Sequence, residues 1–349
     1  MPESYVYPTS AELIAIAQDL MPRLMANRPI FDIMPVRDAD EWTMMYEQFD
    51  NFVGVQAYRG LDGEPGRVKP VGLNRYEVTP GVYGEWIPVT EEELTKFRQP
   101  GTLGSAINIT DLVLQRQNQL LERRLNRLEL VGWSLLATGT YTVFTLNGGA
   151  MTVGKTDSYN IQTFTSGTGW STAATSTPLA DFRSMKLLHR GHSVDFGARA
   201  KAIMNLSTLN QMLINSNAAD LYGRRTAGLA TVNTLIAVNQ IWTEDDLPTI
   251  QIYDESYLSD GTDGNVANSY VLYVPTGVVA VVGVRPAGQR VAEYRMTRNA
   301  NNVDSAPGPY MRVIDTAEFK LPRNLQVHDG HNGGPIFFYP SAVVAGNVS

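Results

Sequence analysis

The stretch of sequence that decides the fold is residues 111–137, DLVLQRQNQLLERRLNRLELVGWSLLA. Its leucines recur every seven residues, at Leu114, Leu121, Leu128 and Leu135. Leu125 lies on the same face, because residues three, four and seven apart share one side of an α-helix. The pattern predicts a single helix of roughly 40 Å, at ~1.5 Å per residue, well above the usual helix length.

The two sides of this helix predict different roles. The leucine face indicates packing against the core. A coiled-coil dimer is the disfavoured alternative, because Asn118 and Gly132 occupy the alternate seam positions. The opposite side carries Arg116, Arg123 and Arg127. We expect these arginines to be solvated or to contact another subunit, with contact to DNA as the alternative.

The first 50 residues predict an extended arm rather than a domain. Helical character is confined to Ser10–Gln18, with Ser10 as the candidate N-cap. The prolines that follow are expected to stop any regular element: Pro22, Pro29 and Pro35.

Residues 51–90 predict two strands, Val53–Tyr58 and Tyr76–Thr79, joined by a long loop. The loop tip, Gly60–Pro70, contains three glycines, two prolines and charges of both signs. It cannot build a core of its own, so we expect it to be exposed. Its charged residues are the candidates for contact with another subunit: Asp62, Glu64, Arg67 and Lys69.

The chain beyond the long helix predicts hairpins, helices and short strands. Asn147-Gly148 between two apolar runs predicts a hairpin. Pro178–Leu188 predicts a helix with Thr177 as its cap, and Thr208–Ile214 predicts another that Ser207 would cap. Strands are predicted by composition at Ala202–Met204, Val271–Val274, Val278–Val284, Met311–Ile314 and Ile336–Tyr339.

The composition limits the class of protein. Hydrophobic residues make up 43% of the 349 residues and charged residues only 18%, below the roughly 25% of ordinary domains. Part of the surface is therefore expected to be covered by neighbouring subunits. The net charge of −7 argues against a broad nucleic-acid-binding face. The absence of cysteine excludes disulfides and thiolate metal sites. We see no signal peptide or membrane-spanning stretch and expect a soluble chain.

The four histidines form two pairs with the spacing of metal ligands: His189 with His192, and His328 with His331. Gly191 and Gly330 interrupt the pairs, so neither is expected to lie in a regular helix. We interpret all four as structural histidines, and a metal-dependent hydrolase that uses them is the alternative.

No other pattern predicts catalysis. Ser166–Gly169 has the glycines of a phosphate loop but lacks its Gly-Lys-Ser/Thr ending. The acidic run Glu91–Glu93 fits the first turn of a helix, where the macrodipole favours carboxylates. We therefore expect no enzyme and no cofactor.

The order of these parts resembles a known architecture: an arm, a two-stranded loop, one long helix, a Thr/Gly-rich hairpin, a mixed block and returning strands. Four stretches carry the resemblance: Tyr76–Tyr83 (YEVTPGVY), Thr140–Val143 (TYTV), Asn160-Ile161, and Gly169–Ser171 (GWS) followed by a proline-led helix. In this order they resemble the Hong Kong 97 fold of tailed-phage capsid subunits. More narrowly, the chain is similar to the lambda-like major capsid protein E family.

The resemblance implies an α+β capsid subunit with an N-terminal arm at 1–50 and an extended loop at 51–90. It implies a peripheral domain at 91–198 with the long helix at about 111–137. It also implies an axial domain at 199–304 and a return to the peripheral domain at 305–349. Arg116, Arg123 and Arg127 then become candidates for contact with the shell lumen or with a neighbouring subunit.

The resemblance also implies a function and partners. Copies of the chain would form hexamers and pentamers of an icosahedral shell around double-stranded DNA, assembled in the host cytoplasm and retained in the virion. No long charged helical segment precedes the arm, so we expect a separate scaffolding protein, together with a portal; whether a decoration protein also binds is left open by the sequence. Some relatives form a Lys–Asn cross-link, and Lys69 lies in the corresponding loop, but no partner Asn is identified. An encapsulin-like shell is the alternative.

Overall fold

The computed structural model describes residues 8–49, 56, 58, 61, 64, 73–96, 109–147, 150–172, 174–190, 192, 194–214, 235–261, 263–285, 289–302, 306–316 and 324–349. Within them the helices are α1 (Ser10–Met25), α2 (Ile30–Ile33), α3 (Glu91–Lys96), α4 (Ile109–Thr138), α5 (Pro178–Leu187), α6 (Leu206–Ile214) and α7 (Leu235–Glu244). A short 3-10 helix covers Pro340–Ala342.

The strands combine with these helices into an α+β structure. They are β1 (Val36–Asp38), β2 (Met44–Phe49), β3 (Leu73–Val78), β4 (Gly81–Val89), β5 (Thr140–Asn147), β6 (Ala150–Ser158), β7 (Gln162–Thr165), β8 (Lys201–Met204), β9 (Thr249–Ile252), β10 (Ser256–Leu258), β11 (Tyr270–Leu272), β12 (Val278–Val282), β13 (Ala292–Thr297), β14 (Tyr310–Asp315), β15 (Leu325–Phe337) and β16 (Val343–Asn347). One sheet has the order β1-β13-β15-β14, with β4 also paired to β15, and a second has the order β7-β16-β12-β8-β9. The pairs β2-β3, β5-β6 and β10-β11 form two-stranded sheets.

The long helix α4 confirms the prediction within two residues at each end. Leu121, Leu125, Leu128 and Leu135 are fully buried, as expected for a core-facing stripe. The helix ends where Gly139 takes a left-handed conformation with φ of 73°, and its N–H donates to the Leu135 carbonyl at 2.9 Å. A side chain there would lie 2.9 Å from the Tyr159 carbonyl oxygen, so only glycine fits this helix end.

The chain divides into two compact units, the first made of Met1–Met45, Glu77–Glu129 and Glu293–Ile336. Its core joins α1 and α4 to the five-stranded sheet. It contains Leu13, Ala17, Val89, Val113, Leu120, Leu121, Met311, Leu325 and Val327. The buried Gln117 side chain also donates to the Leu13 carbonyl at 2.6 Å, so one polar contact reinforces the apolar packing of the two helices.

Helix α1 corrects two predictions about the N-terminal region. Its cap is Thr9 and not Ser10, because Thr9 and Glu12 form a reciprocal capping box. The helix also continues through Pro22 to Met25, although proline removes one backbone hydrogen bond and costs about 3 kcal/mol inside a helix. Burial of Leu13 and Ala17 against the core supplies a stabilisation that the local sequence does not show.

The second unit comprises Tyr46–Tyr76, Leu130–Ala292 and Phe337–Ser349. Its core surrounds the second sheet and includes Trp170, Phe182, Met185, Phe196, Met212, Trp242, Val279, Val281 and Val344. Helix α6 begins at Leu206, and the Asn205 side chain accepts from the Thr208 N–H at 2.7 Å. The predicted cap Ser207 is therefore wrong: the buried Asn205 caps the helix and also donates to Thr276.

Other predicted elements are confirmed with shifted bounds. Strands β5 and β6 pair up to Asn147 opposite Ala150, as the Asn-Gly turn predicts. Helix α5 has Pro178 in its first turn, although Thr177 makes no side-chain cap bond. The predicted strand Val53–Tyr58 lies largely outside the described residues. Strand β15 begins at Leu325, eleven residues before the predicted start at Ile336.

Candidate functional site

The predicted loop-tip residues are described only in part. Asp62, Arg67 and Lys69 lie outside the described residues, and Glu64 is exposed. At the base of this region strands β2 and β3 pair. There Tyr46 stacks on Tyr76 with ring centroids 5.5 Å apart.

The predicted arginine face of α4 carries ion pairs within the chain. Arg123 donates from Nε and Nη2 to the two carboxylate oxygens of Glu85, at 2.5 and 2.9 Å. Arg116 donates to Glu93 at 2.5 Å, and Glu93 also closes the first turn of α3 by accepting from the Thr90 N–H. Two of the three predicted arginines are thus neutralised by carboxylates of the same molecule.

A buried ion pair on the leucine face of α4 was missed by the sequence-based reasoning. The Arg124 Nη1 lies 2.9 Å from both carboxylate oxygens of Asp329 in β15, and the side chains are only 2% and 4% exposed. Burial raises the pKa of Asp329, and Arg124 offsets part of this rise. One sequence feature could have indicated this pair: Arg124 is a charged residue that lies between Leu121 and Leu125 on the face predicted to be buried.

The histidines of the second pair lie in β15, where residues three apart face opposite sides of the sheet. His328 hydrogen-bonds to Gln326 at 3.1 Å. His331 is fully buried, contacts the Tyr294 hydroxyl at 3.2 Å, and burial lowers its pKa to about 3. These two side chains do not converge on one ion.

His189 of the first pair is also buried, and burial lowers its pKa to about 3. Within the described ranges no group of three or more His, Cys, Asp or Glu side chains could hold a metal ion. The geometry therefore gives the metal-dependent hydrolase no support.

The Ser166–Gly169 segment is a structural turn. The Ser166 hydroxyl donates to the Asp181 carboxylate at 2.7 Å, and the Trp170 indole N–H donates to the same carboxylate at 2.8 Å. These two hydrogen bonds tie the segment to helix α5, and a negatively charged carboxylate beside it disfavours a bound phosphate. In the part of the chain that the structure describes, no helix is long and apolar enough to cross a membrane.

The outer face of the first sheet contains a row of three side chains from neighbouring strands. Trp86 in β4 lies opposite His328 in β15, and His328 lies opposite Arg312 in β14. The Trp86 ring stacks against the His328 ring with centroids 6.1 Å apart, and Trp86 is 51% exposed. We call these three residues the sheet row; no sequence pattern indicated it, because its members are joined only by strand pairing.

Comparison with known proteins identifies the architecture. The fold matches that of a protein described as a prophage capsid protein from Escherichia coli CFT073, with a TM-score of 0.60 and 12% identity over 99% of this chain and 100% of that one. It also matches a phage-related protein from Bordetella bronchiseptica RB50, with a TM-score of 0.56 and 10% identity over 98% and 97%. At these identities the likeness shows the fold alone, which is the predicted Hong Kong 97-like capsid fold.

Sequence comparison goes further than the fold. No curated protein matches the chain. A family model described as phage major capsid protein E matches residues 23–299, most of the length. The chain therefore belongs to the phage major capsid protein E family, and its role is that of a structural capsid protein.

Proposed function

We propose that copies of this chain assemble into hexamers and pentamers of an icosahedral shell that encloses a double-stranded DNA genome. The family match over residues 23–299 carries the proposal, and the fold matches over nearly the whole chain support it. The role is structural and involves no catalysis. The shell forms in the host cytoplasm and becomes the virion capsid.

Within this proposal the arm at 1–50 and the extended loop at 51–90 lie over neighbouring copies. The loop-tip charges Asp62, Glu64, Arg67 and Lys69 make contacts between subunits. Residues 91–198 and 305–349 form the peripheral domain, and residues 199–304 form the axial domain. A scaffolding protein guides assembly, a portal occupies one vertex, and a decoration protein is a further partner.

Contact with the packaged DNA is non-specific and weak in this proposal. The chain carries a net charge of −7, which repels a polyanion on average. Arg116 and Arg123 are already paired with Glu93 and Glu85. Replacing Arg116, Arg123 and Arg127 together by Gln should therefore leave DNA retention nearly unchanged, and a selective loss of packaged DNA would contradict this part.

Electron microscopy of negatively stained protein, with light scattering after size exclusion, tests the assembly. We expect closed shells, or sixfold and fivefold rings of 38.4 kDa subunits. A chain that stays monomeric at high concentration, with and without its scaffolding protein, would overturn the proposal. Shells purified from infected cells should contain DNA, whereas a protein cargo in place of DNA would favour the encapsulin-like alternative.

A further inference from the structure

The sheet row lies on a preformed outer surface of the first unit. Alternate residues of a strand share one face, so Val82 accompanies Trp86 on the outer side of β4, where it is 72% exposed. Beside the row, the Tyr310 ring packs directly over the backbone of two glycines, Gly330 and Gly84, which leaves no room for a side chain at either position. A side chain added at Gly330 would lie 2.6 Å from the Tyr310 ring, and one added at Gly84 would lie 2.6 Å from the Tyr310 hydroxyl.

Arg312 brings a positive charge to this surface, and none of the residues that the structure describes supplies a counter-charge to it. Its Nε is buried and has no hydrogen-bond partner, and no carboxylate among the described residues lies within ion-pair distance of its guanidinium. Arg123 and Arg124, by contrast, each meet a carboxylate. A buried cationic donor without an acceptor is unfavourable, so an acceptor from outside the molecule would stabilise Arg312.

The sheet row has the residue types that are common at the centre of a protein–protein interface. Tryptophan and arginine are the residue types most enriched at interface hot spots. Trp86 is half exposed while its ring rests on His328, so a partner can cover the remaining face without rearranging the strand. The combination of an exposed indole and an unpaired guanidinium selects a partner that offers both apolar surface and a carboxylate.

We infer that the sheet row binds a carboxylate-bearing segment of a second copy of this chain. The chain has 35 acidic against 28 basic residues, so a second copy offers carboxylates in excess and complements the charge of Arg312. The inference rests on the proposed shell, in which copies meet at high local concentration.

Oxidative footprinting of the unmodified protein gives the first test. Trp86 is 51% exposed in the subunit, so its oxidation rate can be compared before and after assembly of the same protein. We expect assembly to lower the oxidation rate of Trp86 about tenfold, as for a side chain that becomes fully buried at an interface centre. Equal oxidation of Trp86 before and after assembly would overturn the inference, whereas failure to assemble would overturn the proposed function with it.

Cross-linking identifies the occupant. In an Arg312→Lys variant the introduced amine can be coupled to a touching carboxylate by a carbodiimide. Arg190→Lys provides the control, because Arg190 is exposed and lies outside the arm, the extended loop and the sheet row. Shells assembled from isotope-light and isotope-heavy protein should yield mixed-isotope cross-links at position 312 and few at position 190. Cross-links confined to one chain, to position 190, or to a different protein would refute docking of a second copy.

Discussion

The buried ion pair between Arg124 and Asp329 predicts a large loss of stability when one partner is removed. Asp329→Asn keeps the shape of the side chain but leaves the guanidinium, 2% exposed, without a compensating charge. Breaking a buried pair from one side costs about 3–5 kcal/mol. The free energy of unfolding of the unassembled subunit should therefore fall by about that amount in urea, followed by far-ultraviolet circular dichroism.

The neighbouring residue supplies a control of the same chemistry. Arg123 binds Glu85 through two hydrogen bonds, but these side chains are 49% and 46% exposed. Solvent screening should hold the cost of Arg123→Gln to less than about 1 kcal/mol. The double variant Arg124→Met with Asp329→Leu should recover most of the stability lost in Asp329→Asn, because two apolar side chains remove both buried charges.

Two outcomes would refute this reasoning. If Asp329→Asn costs no more than Arg123→Gln, burial does not set the strength of the Arg124 pair. If the double variant is as unstable as Asp329→Asn, the loss comes from altered packing and not from an uncompensated charge. The coupling energy from a double-mutant cycle of Arg124→Met, Asp329→Leu and their combination separates these two explanations.

Three further predictions concern other parts of the fold. Burial lowers the folded-state pKa of His331 to about 3, so the unfolded chain binds more protons below about pH 6.5, and this histidine should remove about 2 kcal/mol of stability as the pH falls from 6.5 to 5. Urea titrations should show a loss that is smaller by about that amount in His331→Gln, in which His189, whose pKa is also lowered to about 3, still contributes. Leu125→Ala should cost about 2–5 kcal/mol by opening a cavity in a fully buried site, and the partly exposed Leu114 should tolerate the same change better; equal costs would contradict the one-sided packing of α4. Asn205→Ala should lower the thermal unfolding midpoint by removing about 1–2 kcal/mol of capping, whereas Ser207→Ala should leave it unchanged, and the reverse order would restore Ser207 as the cap.

The elements that could be predicted from the sequence are those whose sequence signal lies within a short stretch of the chain. Helix α4 shows its buried face in every turn, so the leucine spacing fixes both its existence and its length. The Asn147-Gly148 turn needs backbone angles that few other residue pairs accept, and strands β5 and β6 follow from it. In both cases the residues that make the decisive contact lie within a few positions of each other.

The parts that could not be predicted depend on distant contacts. Strand β15, LQVHDGHNGGPIF, contains four glycine or proline residues and little of the usual strand composition. It forms because β4 and β14 pair with it from both sides. Helix α1 continues through Pro22 for a similar reason. The residues of α4 against which it packs lie about one hundred positions later in the chain. Neither the strand pairing that stabilises β15 nor the core packing that stabilises α1 can be seen in a local sequence pattern.

The candidate site shows the same limit in its arginines. The sequence selects Arg116, Arg123 and Arg127 by their position on one helix face. The structure distinguishes arginines by what surrounds the guanidinium: a partly buried carboxylate for Arg116, a solvent-screened one for Arg123 and a buried one for Arg124. For Arg312 no carboxylate of the described residues lies within ion-pair distance. A pair that is satisfied inside the subunit gains little from a neighbour. The driving force for charge contact between copies should therefore lie at Arg312, on a strand that the sequence did not connect with assembly, more than on the helix face that it did.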